Sequence, residues 1–171
     1  GNLGATAYFQ GMFVQADEHW TEAIRVARQL DDVGLAATLA SGLGAVVVER
    51  GDLDRAELLL NDALATQRQI GDDEQIPRTL MIQATVAMAR GEDDHALALY
   101  REAFVILARN HDREMMADVQ VNMATLLIRR GERVESASLL HPAVQTLFQT
   151  GERSLAIEAV DIAAALLVGA G

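Results

Sequence analysis

The sequence predicts an all-α fold, a solenoid of about four helix pairs followed by a terminal helix. Three observations predict it. Gly11, Gly51, Gly91, Gly131 and Gly171 stand 40 residues apart, and recurrence at such a period is the mark of a helical-repeat array. Half of the 171 residues are hydrophobic but only 4% are aromatic, so the core must be built from Ala, Leu, Val, Ile and Met. Two prolines in the whole chain leave long helices uninterrupted.

Other positions keep the same register. Five residues after the first four glycines stand Ala16, Ala56, Ala96 and Ser136, and nine after them Trp20, Leu60, Tyr100 and Leu140. Ala23, Ala63, Ala103 and Ala143 follow at twelve, and Gly4, Gly44, Ala84, Ala124 and Ala164 precede the glycines by seven. The expected units are 1–33, 34–74, 75–114, 115–153 and a half unit 154–171, all in one domain.

Each unit reads as two helices. In the first, residue 1 already falls inside a first helix, and the second helix carries Ala16, Trp20 and Ala23. In the second, Leu39, Leu43, Val46 and Val47 recur at helical spacing and the helix ends at Arg50-Gly51. Asp52 or Asp54 caps the next helix, whose Ala56, Leu59, Leu60, Ala63, Leu64 and Ile70 share one face and which stops at Gly71–Asp73. The tripeptide Arg50-Gly51-Asp52 resembles an adhesion motif, but the third and fourth units carry Arg-Gly-Glu at 90–92 and 130–132. A helix dipole and a cap tolerate Asp-to-Glu exchange, so the tripeptide is a turn between two helices.

The third unit starts near Pro77, a residue suited to a first helical turn. In the fourth, Pro142 replaces the Glu22, Asp62 and Glu102 of the other units and predicts a kink in mid-helix. Residues 155–168 read as a first helix without its partner, mostly apolar. That helix and the absence of an initiator Met lead us to expect a segment of a longer protein.

The pattern of Gly44, Gly51, Ala56, Leu60 and Ala63, repeated as Ala84, Gly91, Ala96, Tyr100 and Ala103, resembles the tetratricopeptide repeat over nearly the whole chain. The period of 40 exceeds the family's standard of about 34, and the proline that usually closes the second helix is missing. The longer form is similar to repeats of signalling scaffolds and of sensor regions in bacterial regulators, with helices about a turn longer. HEAT and armadillo repeats share a period near 40 but lack the glycine-then-alanine signature. The resemblance implies a right-handed superhelix with first helices lining a concave face, where partners bind.

Carried over by register, that groove comprises Tyr8, Phe9, Ser41, Ala45, Val48, Arg78, Met81, Thr85, Met88, Val121, Asn122, Thr125, Ile128 and Arg129, with Glu49 and Asp118 beside it. It is an apolar strip suited to a peptide or an amphipathic helix. Family members that hold a C-terminal carboxylate use Lys and Asn on successive first helices. This chain has no Lys, and only Asn122 lies at such a place.

Composition removes other classes. With no cysteine there is no disulfide scaffold, thiolate zinc site or cysteine nucleophile. The net charge of −11 opposes direct contact with nucleic acid or an anionic bilayer. All 14 basic residues are Arg, a bias expected of a GC-rich bacterial genome. The first residues do not read as a basic-then-apolar signal segment, and the apolar run at 162–170 is too short to span a bilayer.

His19, His95, His111 and His141 show no ligand spacing. The acidic stretches at 71–74 and 92–95 fall at helix starts, where carboxylates belong. The serines lack a paired base, and the Gly-rich stretch at 42–47 lies in mid-helix with no strand before it. The expectation is a cytoplasmic, non-enzymatic scaffold that binds a protein or peptide and needs no cofactor or metal. The alternative is a ligand- or peptide-sensing region of a bacterial transcription regulator, self-associating as a homodimer through residues 155–168.

Overall fold

The computed structural model describes Thr6 and residues 12–152, 155–157 and 159–162. Seven helices with complete bounds are described, and no strand occurs among the described residues. They are α1 (Phe13–Gln29), α2 (Val33–Glu49), α3 (Leu53–Ile70), α4 (Ile76–Ala89), α5 (Asp93–Asn110), α6 (Arg113–Arg129) and α7 (Arg133–Thr150). Two compact units divide the chain at residues 99 and 100, within α5.

The helices are cut to length by one recurring turn. Residues Asp31, Gly51, Gly71, Gly91, His111, Gly131 and Gly151 all have positive φ, at intervals of 20 residues. The residue after each is acidic: Asp32, Asp52, Asp72, Glu92, Asp112, Glu132 and Glu152. At Gly51 the turn closes in the Schellman pattern, with Gly51 N–H donating to Val48 O (2.8 Å) and Asp52 N–H to Val47 O (3.1 Å). The Asp52 carboxylate then accepts from Arg55 N–H and starts α3. Asp32 and Asp112 cap α2 and α6 in the same way. One residue thus closes a helix with its backbone and opens the next with its side chain. The turn recurs every 20 residues from Asp31 to Gly151.

In unit 1, α2 packs against α1, α3 and α4, and α3 packs against α4. The core is made of small and branched residues, among them Ile24, Ala27, Leu43, Val47, Leu60 and Val86. Among the described glycines of this unit, Gly44 stands nearest a neighbouring side chain. A Cβ there would lie 2.7 Å from Leu60 Cδ2 and 2.8 Å from Leu60 Cγ. At Gly42 the indole of Trp20 occupies the corresponding space.

In unit 2, α6 packs against α7 around Val121, Ala124, Leu140, Ala143 and Leu147, with Ala156 and Ala159 of the terminal helical residues in the same core. The register residues Ala56, Ala96 and Ser136 are fully buried, and the Ser136 hydroxyl is satisfied by Ala124 O at 3.0 Å. Helix α7 continues through Pro142 from Arg133 to Thr150. Pro142 and Ser138 both lie on its exposed side, where water can serve the carbonyl that proline leaves without a donor. Of the expected terminal helix at 155–168, residues 158 and 163–168 lie outside the described residues.

Candidate interaction surface

Helices α2 and α4 lie side by side in unit 1, held in register by a buried polar cluster. Ser41 Oγ and Thr79 Oγ1 are 2.7 Å apart, Thr79 Oγ1 donates to Gln67 Oε1 at 2.8 Å, and Gln67 Nε2 reaches Ser41 Oγ at 3.4 Å. All three side chains are buried. Each polar atom of the ring has a partner within it, which removes the cost of burying an unpaired group.

On the outer face of this pair Ala45, Val48, Met81 and Met88 are half-buried, and Thr85, Arg78 and Glu49 are exposed. Thr85 returns its hydroxyl to Met81 O at 3.1 Å. The result is an apolar strip with one cation and one anion beside it. Ser41 is not part of that surface. It is 3% exposed, and its hydroxyl is consumed by the buried cluster.

Unit 2 presents Asn122, Thr125 and Ile128 as half-buried and Arg129 as exposed on α6. Val121 leaves the expected set, because at 1% exposure it is core. A helix with both faces packed places positions four residues apart in different environments when the register turns slightly. The Asn122 amide donates to Asp118 O at 3.0 Å and to Asp118 Oδ1 at 3.1 Å, so its hydrogens are committed within the helix. Tyr8 and Phe9 lie outside the described residues.

Charge pairs lock successive repeats. Asp17 on α1 accepts Arg55 Nη1 at 2.7 Å and Arg55 Nη2 at 2.8 Å, and Arg50 Nη1 joins at 2.5 Å. The hydrogen bond from Arg55 holds the Asp17 carboxyl below its ordinary value, against an opposing push from burial. One repeat later Arg90 pairs with Glu57 at 2.7 Å and Asp54 at 2.6 Å. The spacing from Asp17 to Arg50 and from Glu57 to Arg90 is 33 residues in both cases. The Arg-Gly-Asp tripeptide is thereby spent: Arg50 in an ion pair, Gly51 at φ 77°, Asp52 as a cap.

Neither the charge cluster nor the Ser41–Gln67–Thr79 ring was foreseen from the sequence. The recurring acid-to-arginine spacing is a signal that could have found the first. The second had none, since its members look like ordinary polar residues on three helices. No group of three or more His, Asp or Glu residues is placed to hold a metal among the described residues. No helix among them is long and apolar enough to cross a membrane.

A tetratricopeptide repeat family profile matches residues 1–69. Among solved structures, BtubC (BKLC) from P. vanneervenii superposes with a TM-score of 0.77 at 20% identity, covering 92% of this chain and 66% of that one. A putative kinesin light chain from Podosopora anserina, with nearly identical TPR-like repeats, gives 0.70 at 16% identity, covering 98% and 93%. The fold is a TPR-like helical repeat. The apo form of RapI gives 0.65 at 15% identity, covering 95% of this chain and 65% of its own length. No curated protein sequence matches. The profile covers 69 of the 171 residues, and the solved structures share the fold at 20% identity or less.

Proposed function

We propose that this TPR-like array is a non-enzymatic scaffold that binds a protein or peptide through its first-helix face. The observation that carries the proposal is the strip of Ala45, Val48, Met81 and Met88, half-exposed at matching register on adjacent helices. Apolar residues left at such a surface are suited to the apolar side of an amphipathic helix, and methionine adapts to varied shapes. Within unit 2, Thr125 and Ile128 stand at the equivalent register positions and offer a separate surface of the same kind, while Ser41 and Val121 are buried and drop out. The 40-residue form of the repeat fits a scaffold with helices of 17 or 18 residues at most positions.

The test is selection from a displayed library of helical peptides, followed by titration of the enriched sequences. Amphipathic peptides should bind the parent chain, and Met88→Glu should weaken them at least about tenfold while circular dichroism stays unchanged. Equal binding to both chains, or no enrichment, defeats the proposal. A second reading is a sensing, self-associating region of a bacterial transcription regulator. Phe148 and Ile157 favour it, being 64% and 62% exposed around one hollow in unit 2. Loss of self-association in Phe148→Glu would support that reading, and its persistence would remove it.

A further inference from the structure

A second surface in unit 1 combines features that the repeat itself does not require. Between the first half of α2 and the second half of α3, bordered by Arg28 at the end of α1, lies a hollow of about 270 Å³. Its floor is Ala36, Ala37, Ala40 and Ala63, all buried, and Val33 and Ile70 rise at its rim, 55% and 45% exposed. Leu30, in the turn between α1 and α2, is 72% exposed. Arg28 and Asp62 also border the hollow. Both are exposed, and neither has an ion-pair partner among the described residues.

The other repeats serve as an internal control. The equivalents of Leu30 and Ile70 are Asn110 and Thr150, and those of Val33 are Asp73 and Arg113. The third and fourth repeats therefore build this position with polar residues, and the apolar version at Leu30 and Ile70 is not a demand of helix pairing. Exposed apolar side chains in a cluster mark contact surfaces.

We propose that this edge is a two-fold contact between copies of the chain, with Leu30 of each copy seated in the hollow of the other. An isologous interface must be self-complementary, carrying both the projection and the recess that receives it. This edge has both. It also carries one free cation and one free anion, so that Arg28 of each copy meets Asp62 of the other. Two molecules of net charge −11 repel at most approaches, and the Arg28–Asp62 pairs across this contact offset part of the repulsion from the exposed Asp31 and Asp32 beside Leu30. The contact is independent of the first-helix strip.

Sedimentation velocity over a concentration series of the 171-residue chain tests the contact, with circular dichroism on every variant. The parent should show a monomer–dimer equilibrium, and Leu30→Glu should raise the dissociation constant about tenfold or more. Arg28→Glu and Asp62→Arg should each weaken the dimer, and together they should restore it. If Leu30→Glu failed to fold, the charge exchange would decide alone, because both of its positions are exposed on helices. A chain that stays monomeric overturns the proposal and leaves the hollow to a different protein. So does a dimer insensitive to Leu30→Glu but lost in Phe148→Glu, or a charge pair whose exchange restores nothing.

Discussion

Replacing Gly44 by alanine sets two known effects against each other inside α2. Alanine is favoured over glycine in a helix interior by about 1 kcal/mol. Against that, the new methyl would stand 2.7 Å from Leu60 Cδ2 and 2.8 Å from its Cγ. Leu60 has no exposed surface, and Cγ is not the free end of a flexible chain, so relief requires movement of the α2–α3 pair. Overpacking of this kind costs about 1–3 kcal/mol. The net expectation is a loss of about 1 kcal/mol. Gly34→Ala, in the first turn of the same helix, is the control, since its methyl meets Ile70 Cδ1 at 3.3 Å, the tip of a side chain 45% exposed, and Asp32 Oδ1 at an ordinary 3.8 Å. It should be neutral or stabilising by up to about 1 kcal/mol.

Urea denaturation followed by circular dichroism gives both values, fitted with a repeat model where the transition broadens. Leu60→Ala should cost about 2–5 kcal/mol in the parent and less beside Gly44→Ala, with a coupling of about 1–3 kcal/mol. Stabilisation by Gly44→Ala equal to that by Gly34→Ala would refute the close-approach argument. The corresponding pair in unit 2, Ala124 with Leu140, shares one buried core, so the methyl can be housed where the helices are spaced for it.

Asp17→Asn should cost about 1–2 kcal/mol at neutral pH, toward the lower end for a charged hydrogen bond because Arg50 and Arg55 are each about 40% exposed. The folded Asp17 carboxyl titrates below its unfolded value of 3.8, so its contribution is complete above that value. It is lost as pH falls through the lower folded value. Denaturation of parent and variant across pH 7 to about pH 2 should show the two curves converging only below about pH 4. Thr79→Val leaves Gln67 Oε1 buried without its donor and should lower stability by about 1–3 kcal/mol in the same assay. His111→Gly relieves a side chain held at φ 58° and should raise the melting temperature, equivalent to about 0.5–1 kcal/mol.

Helix pairing was legible because small residues must recur wherever backbones approach, and Ala56, Ala96 and Ser136 prove fully buried. The turn at Arg50-Gly51-Asp52 was legible too, since caps and left-handed residues have few alternatives. Glycine alone does not mark the 20-residue interval, as Asp31 and His111 occupy two of its seven turns. The acidic row from Asp32 to Glu152 marks it without interruption. Surface membership was less legible. Register assigns a residue to a helix side, but a few tens of degrees of rotation separate half-exposed Ala45 from buried Ser41 on the same helix. The Asp17 and Gln67 clusters depend on side chains from three helices, a distance that no local pattern reports.

The Ser41–Gln67–Thr79 ring bears on how the repeats find their own neighbours during folding. Units built on one template can pair out of order, and near-identical interfaces offer little to choose between. One repeat later the three positions hold Met81, Leu107 and Val119, so only one junction in the chain carries this polar set. A mismatched neighbour would face Ser41 and Gln67 with an apolar residue and strand their hydrogen-bonding groups, whereas the correct one completes the ring. The ring thus acts as a key with one lock, penalising exchange of segments within a chain or between chains. An all-apolar replacement of the three would keep the stability of the junction and surrender its discrimination.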